Sequence, residues 1–395
     1  MGPLLERARA FEAELVALRR DLHRHPELAF RESRTAAAAA ERVEAAGFGV
    51  RTGVGRTGVV AELGDGGGPT VALRADMDAL PIQEESDADY RSTVPGVMHA
   101  CGHDAHVSML VGAARLLAQT KEAGELPAGT VRLLFQPSEE GCDEENKSGA
   151  TRMVEDGAME DVDAVFGLHI GAHLPAGTLH LRAGAYMAGT DGIRATILGR
   201  SAHAARPEEG VDAVVLAAHF VLACQNAVAR RIAPTDAGVL TLGSIAGGTA
   251  ENIIAERVAI EGTLRYFEED VRARLHGALD AAAALVEALG GRAQVTVRPG
   301  YPPVVNDEAM TELARGALVG ALGAERIREW RPWMGAEDFA ILQREAPGCF
   351  FWLGAALEPP REHHHPRFDV DERVLPLGAS ALAACAIRAL GELAG

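Results

Sequence analysis

Val131-Arg132-Leu133-Leu134-Phe135, followed at once by Gln136-Pro137-Ser138-Glu139-Glu140, is a short apolar run that ends in two adjacent carboxylates. A continuous apolar stretch of this length marks a strand covered on both faces, as strands in parallel sheets are. Val71-Ala72-Leu73 and Val162 to Leu168 read the same way. Between them Val107, Leu110, Val111, Ala114 and Leu117 recur at helical spacing. The expected class is therefore α/β, a largely parallel sheet flanked by helices. Asp76, Glu139, Glu140 and His169 each fall just past the carboxyl end of an expected strand. Open α/β sheets hold their ligands at that edge.

Around Gly184 to Gly192 the pattern changes. A strand (Ile193 to Leu198), a helix (about Val211 to Arg231) and two strands (Val239 to Ile245, Val258 to Tyr266) follow, then a helix (Glu268 to Leu289) and a strand (Gln294 to Arg298). That order is the ferredoxin-like split unit. The sequence then returns to the first pattern with the strand Phe350 to Gly354 and an alanine-rich helix from about Gly378. At 395 residues two domains are expected. The reading is a large domain at 1–186 and 300–395, interrupted by an inserted ferredoxin-like α+β domain at 187–299. Gly64 to Gly68 reads as a hairpin turn.

The net charge of −18, with no compensating Lys/Arg cluster, opposes attraction to nucleic acid or anionic lipid. Met1 to Arg20 reads as one charged amphipathic helix rather than a signal peptide, and no stretch reads as a bilayer span. Five scattered cysteines argue against a disulfide framework and for the cytoplasm.

The run Met98-His99-Ala100-Cys101-Gly102-His103-Asp104-Ala105-His106 packs a thiol, three imidazoles and a carboxylate into nine residues. Gly102 permits a tight turn from which Cys101 and His103 converge on one ion. An isolated C-x-H is as readily a buried Cys beside a helix cap, and His99 and His106 read as ligands, ligand supports or helix-end residues. Glu139 and Glu140 supply what a metal-activated hydrolase needs, one carboxylate as ligand and one to take a proton from water. The competing reading, a solvated acidic loop running into Asp143-Glu144-Glu145, is weakened by the buried strand before them. His169 at a strand end and His363-His364-His365 supply distant imidazoles, as an assembled site requires. Farther on stand His203 in a loop, Asn252, and Arg265 at a strand end, where a guanidinium can clamp a carboxylate.

Seven motifs in order carry a family resemblance: Leu22 to Leu28, Arg74 to Ile82, Met98 to His106, Phe135 to Glu140, Gly167-Leu168-His169, Gly335 to Phe339 and His364 to Phe368. Nearly the whole chain resembles the amidohydrolase branch of the aminoacylase and carboxypeptidase dinuclear metallopeptidase superfamily. That group contains hippurate hydrolases, indole-acetyl-amino-acid hydrolases and N-acetyldiaminopimelate deacetylases. The resemblance implies a metal-dependent amidohydrolase acting on small N-acyl amino acids, with the inserted domain serving as lid and dimerisation surface. Cys101, His103, Glu140, His169 and His364 would hold two divalent ions, with His364 chosen because it stands two residues before Pro366. Glu139 would be the general base. His203, contributed across a homodimer, would stabilise the oxyanion, and Asn252 and Arg265 would hold the substrate carboxylate. The mixed donor set suits zinc or manganese, and also cobalt or nickel. The alternatives are a dipeptidase or carboxypeptidase on the same site, a cysteine amidase with Cys101 as nucleophile and His103 or His106 as base, and a non-catalytic binding protein. The chain departs from the family pattern in the polar loop Gly141 to Ala150 and in Ile254-Ala255-Glu256 after Asn252, where relatives commonly carry a proline.

Overall fold

A computed structural model describes residues 2–64 and 66–394. In chain order the elements are α1 (Pro3–Arg9), α2 (Glu12–Arg24), α3 (Ser33–Ala45), β1 (Gly49–Val54), β2 (Gly58–Gly64), β3 (Thr70–Asp76), α4 (His103–Glu122) and β4 (Thr130–Gln136). Then come α5 (Gly149–Glu155), β5 (Ala164–Gly171), β6 (Leu179–Leu181), β7 (Gly184–Met187), β8 (Gly189–Leu198), α6 (Ala213–Arg231), β9 (Gly238–Gly247) and β10 (Arg257–Tyr266). The chain closes with α7 (Glu269–Ala288), β11 (Arg292–Pro299), β12 (Val304–Asn306), α8 (Glu308–Leu322), β13 (Ile327–Glu329), α9 (Phe339–Glu345), β14 (Gly348–Gly354) and α10 (Leu375–Leu393).

Two compact units result. The larger comprises the chain up to Tyr186, Val305–Arg331 and the chain from Asp338 onward. Its sheet has the order β1-β2-β4-β3-β5-β14-β6-β13. The central strands β4, β3, β5 and β14 run parallel, β1 and β2 pair antiparallel with their neighbours, and β6 pairs antiparallel with β14 and parallel with β13. The expected parallel sheet is thus the middle of a mixed one. Val71, Leu73, Leu133, Phe135, Phe166 and Phe351 are fully buried, each burial contributing on the order of 1.5–3 kcal/mol. Helices α4 and α10 meet through small residues. A Cβ on Gly378 would lie 2.0 Å from the Met109 sulfur, and one on Gly112 would lie 2.8 Å from Ala379 Cβ. That close crossing seats α4 against the sheet and fixes where its first residue, His103, is delivered.

The second unit is Met187–Val304 with Pro332–Glu337. Its sheet, β11-β8-β10-β9, is antiparallel and covered by α6 and α7, in the strand–helix order of the split unit. It runs past 299 and takes in Pro332–Glu337 because the Ala188 amide donates to the carbonyls of Trp333 (3.0 Å) and Gly335 (2.9 Å).

Three expectations are corrected. The first helix is two helices, broken where Phe11 turns in and is only 3% exposed. The segment after Gly64 is no hairpin turn, since it joins β2 to β3 and β4 lies between them. Two helices, Ala213–Arg231 and Glu372–Leu393, are long and apolar enough to cross a bilayer. The second is 83% buried inside the larger unit, which accounts for its composition.

Candidate metal centre

The larger unit gathers its polar side chains at the carboxyl ends of β3, β4 and β5. Gly102 precedes α4 with φ 93, and a Cβ there would sit 2.4 Å from Ile170 Cγ2. Glycine alone fits this turn, which presents Cys101 and His103 side by side. Cys101 Sγ lies 3.4 Å from His169 Nε2. His169 sits inside β5, not past its end, and its Nδ1 lies 2.8 Å from the Ile170 carbonyl, so Nδ1 carries the proton and Nε2 keeps its lone pair. Opposite it in the register stands Trp352, whose ring lies 4.5 Å from the imidazole.

His103 places Nδ1 3.2 Å from Asp78 Oδ1, and its buried Nε2 has no hydrogen-bond partner among the described residues. His364, with φ 58, is pinned by its amide donating to the Ala100 carbonyl at 2.8 Å, and its Nε2 lies 2.9 Å from Glu140 Oε1. The donor atoms of Cys101, His103 and His169 lie within 4.8 Å of one another, as do those of Cys101, Glu140 and His364, and those of His103, Glu139 and Glu140. Cys101 is common to the first two groups. All six side chains named for the centre therefore converge.

Their electrostatics match a site that wants cations. Burial, with Glu140, Glu139 and Asp76 nearby, pushes the Cys101 thiol well up. Burial opposes charge on His103, but Asp76 and Asp78 outweigh it and lift the ring to about 10. Burial holds His169 well below the usual imidazole range. A buried lone pair, a thiol among carboxylates and an unpartnered imidazole nitrogen are what soft and borderline divalent ions satisfy.

Of the neighbouring histidines, His106 is held at both ring nitrogens and His363 and His365 at one each. His106 Nε2 accepts from the Ile170 amide (2.9 Å) while its Nδ1 meets Asp76 Oδ1 (2.5 Å), so neither nitrogen is left for an ion. His363 Nε2 accepts from the Ala172 amide (3.1 Å), and His365 Nδ1 from the Arg367 amide (3.1 Å). His99 joins no donor group among the described residues, and burial pushes it down to about 4.

Asp78 received no role from the sequence, although Asp76-Met77-Asp78 was in view and its period of two puts both carboxylates on one side. It accepts the amides of Glu139 (3.1 Å) and Glu140 (3.0 Å) while supporting His103. Behind it, buried Arg74 binds Asp76 (2.6 Å), Gln136 (2.9 Å) and Asp338 (2.9 Å), locking the ends of β3 and β4. Supports of this kind orient ligands as firmly as the ligands hold ions.

His203, Asn252 and Arg265 belong to the second unit. His203 and Asn252 are exposed neighbours there, with the Ala204 amide donating to the Asn252 carbonyl at 3.0 Å. Arg265 lies in β10, opposite Thr190 and Val239.

A fold with this edge and this donor set defines a dinuclear metallohydrolase. Residues 72–388 match the family model for peptidase family M20/M25/M40, and the chain belongs to that family. It is similar to the IAA-amino acid hydrolase ILR1-like 4 of Arabidopsis thaliana, at 39% identity covering 96% of this chain and 86% of that protein. It is similar to the N-acetyl-L-cysteine deacetylase of Bacillus subtilis, at 38% identity covering 92% and 85%. The solved structure of Bacillus subtilis YXEP, a dinuclear metal binding peptidase from the M20 family, superposes with TM-score 0.82 at 33% identity, covering 97% of this chain and 99% of that one.

Proposed function

We propose that this hydrolase cleaves the amide bond of N-acyl amino acids, with Cys101, His103, Glu140, His169 and His364 holding two divalent ions and Glu139 as proton carrier. The convergence of those five donors beside a second glutamate carries the reading. Bound ions of this kind polarise an amide carbonyl and bring the pKa of water toward neutrality. Glu139 takes the proton of the attacking water as the new C–O bond forms, then delivers it to the amine as the C–N bond breaks. His203, reaching across a dimer, shares the charge that grows on the carbonyl oxygen. Asn252 and Arg265 hold the substrate carboxylate. Arg265 supports this role because its guanidinium is half-buried and has no carboxylate partner among the described residues.

Zinc or manganese suits the donors, with cobalt and nickel as substitutes. Dimerisation is supported by the second unit's edge strand β9, where Ile245 is 59% exposed, and by α6, where Val214, Val215 and Leu222 are 51%, 52% and 66% exposed. Light scattering tests it. No disulfide joins the cysteines among the described residues, which supports the cytoplasm.

The cysteine-nucleophile reading is disfavoured: the buried thiol is hard to ionise, and His106 is bound at both nitrogens. The test is a hydrolysis screen of N-acetyl, N-benzoyl and N-indolylacetyl amino acids and of dipeptides, with metal-replete and metal-stripped protein. Metal-dependent release of the amino acid is expected. Activity that survives stripping, with an acyl adduct on Cys101, would overturn the metal reading.

A further inference from the structure

Glu32 lies far from the donor atoms in sequence and in no motif quoted above, yet it is completely buried. Its Oε1 accepts the amides of Phe30 and Ser138, each at 2.9 Å, and its Oε2 accepts the Thr57 hydroxyl at 2.5 Å. Phe30 (φ 57) and Ser138 (φ 48) are both non-glycine residues in the left-handed region, a conformation that persists only where the surroundings enforce it. Ser138 opens the turn that carries Glu139 and Glu140, whose amides Asp78 holds at 3.1 and 3.0 Å. Three successive amides, 138 to 140, are thus gripped by two buried carboxylates. The Ser138 hydroxyl donates to the Gly141 carbonyl and the Ser138 carbonyl accepts the Gly149 amide, each at 2.9 Å, but the Ser138 amide is held by Glu32, and a Ser138 released there would swing both glutamates.

We infer that Glu32 is a positioning residue for the hydrolysis, holding Ser138 in its left-handed conformation so that Glu139 and Glu140 are aimed correctly. This rests on the roles proposed above for those two glutamates. What is required is acceptor geometry, not charge. A glutamine at 32 keeps one oxygen for both amides and turns its NH2 toward the Thr57 oxygen.

The test is kinetic and structural. Measured on N-benzoylglycine, or on the best substrate of the screen, Glu32→Ala should lower kcat about 10- to 100-fold, the scale of a small misplacement, with KM within about threefold. Glu32→Gln should restore kcat to within about threefold of the parent. Should Glu32→Ala fail to fold, Thr57→Val should lower kcat about threefold or more with KM held. Crystal structures should show Ser138 leaving the left-handed region in Glu32→Ala and keeping it in Glu32→Gln. A Glu32→Gln enzyme as impaired as Glu32→Ala, an unchanged kcat in Glu32→Ala or in Thr57→Val, or Ser138 unmoved in Glu32→Ala overturns the inference. Full activity in Glu139→Gln would instead overturn the role of Glu139, and the backbone of Ser138 would still report on Glu32.

Discussion

Cys101 Sγ stands 3.4 Å from His169 Nε2, tying the mouth of α4 to β5 through two buried side chains drawn from separate motifs. Because Cys101 belongs to two of the donor groups, its loss should be felt by both ions. Cys101→Ser is expected to bring metal content well below two per chain and to lower kcat/KM at least about 100-fold. Elemental analysis together with steady-state kinetics checks this.

Glu139 differs from Glu140 in what its removal should do. With Glu140 meeting His364 at 2.9 Å, Glu139→Gln should leave the ions in place. Its kcat should fall by about 10²- to 10⁴-fold, the usual scale of a general acid–base group. The measurement is kcat beside metal content on the same sample.

Asp78 touches both halves of the centre, His103 on one side and the Glu139–Glu140 amides on the other. Asp78→Ala should therefore weaken metal affinity by about 10- to 100-fold and lower kcat as well. Competition with a fluorescent chelator reads the first effect. An effect on kcat alone would show that the His103 contact does not matter.

The fold was legible where periodicity is strong. The buried runs around Val71, Val131 and Val165 became β3, β4 and β5, and the split unit fell close to its expected elements. The hairpin β1–β2 was not read, because Gly49–Val54 is mostly exposed and shows no clean alternation. At the site, Cys101, His103 and the two glutamates announce themselves by density and by their place at strand ends. Glu32 does not: its partner Ser138 lies 106 residues away, and a hydrogen bond across that distance leaves no local pattern. His106 was ambiguous for a related reason, since only the fold brings the Ile170 amide to its ring.

Burial pushes Glu32 up to about 7 from 4.5. The folded state therefore binds its proton more tightly than the unfolded chain does, so stability falls as pH rises from about 4.5 to about 7. The loss contributed by this one group is roughly 3 kcal/mol. Denaturant melts of metal-stripped protein across that window should show the decline, and Glu32→Gln should flatten it. An identical slope in the two proteins would assign the pH dependence to other groups.

Gly102→Ala should destabilise the protein by about 2 kcal/mol or more, from the left-handed backbone it disfavours and from the contact with Ile170. Metal content should drop in the same variant, since Cys101 and His103 flank the turn. Thermal melting with elemental analysis decides it.

The most direct test of the account is a crystal structure of the metal-loaded protein with anomalous difference maps. Two peaks are predicted, both within coordination distance of the Cys101 sulfur, one extending to His103 or His169 and the other to Glu140 or His364, with Glu139 beside them. Ions bound at His363 or His365 instead, or Cys101 outside the coordination of either ion, would contradict it.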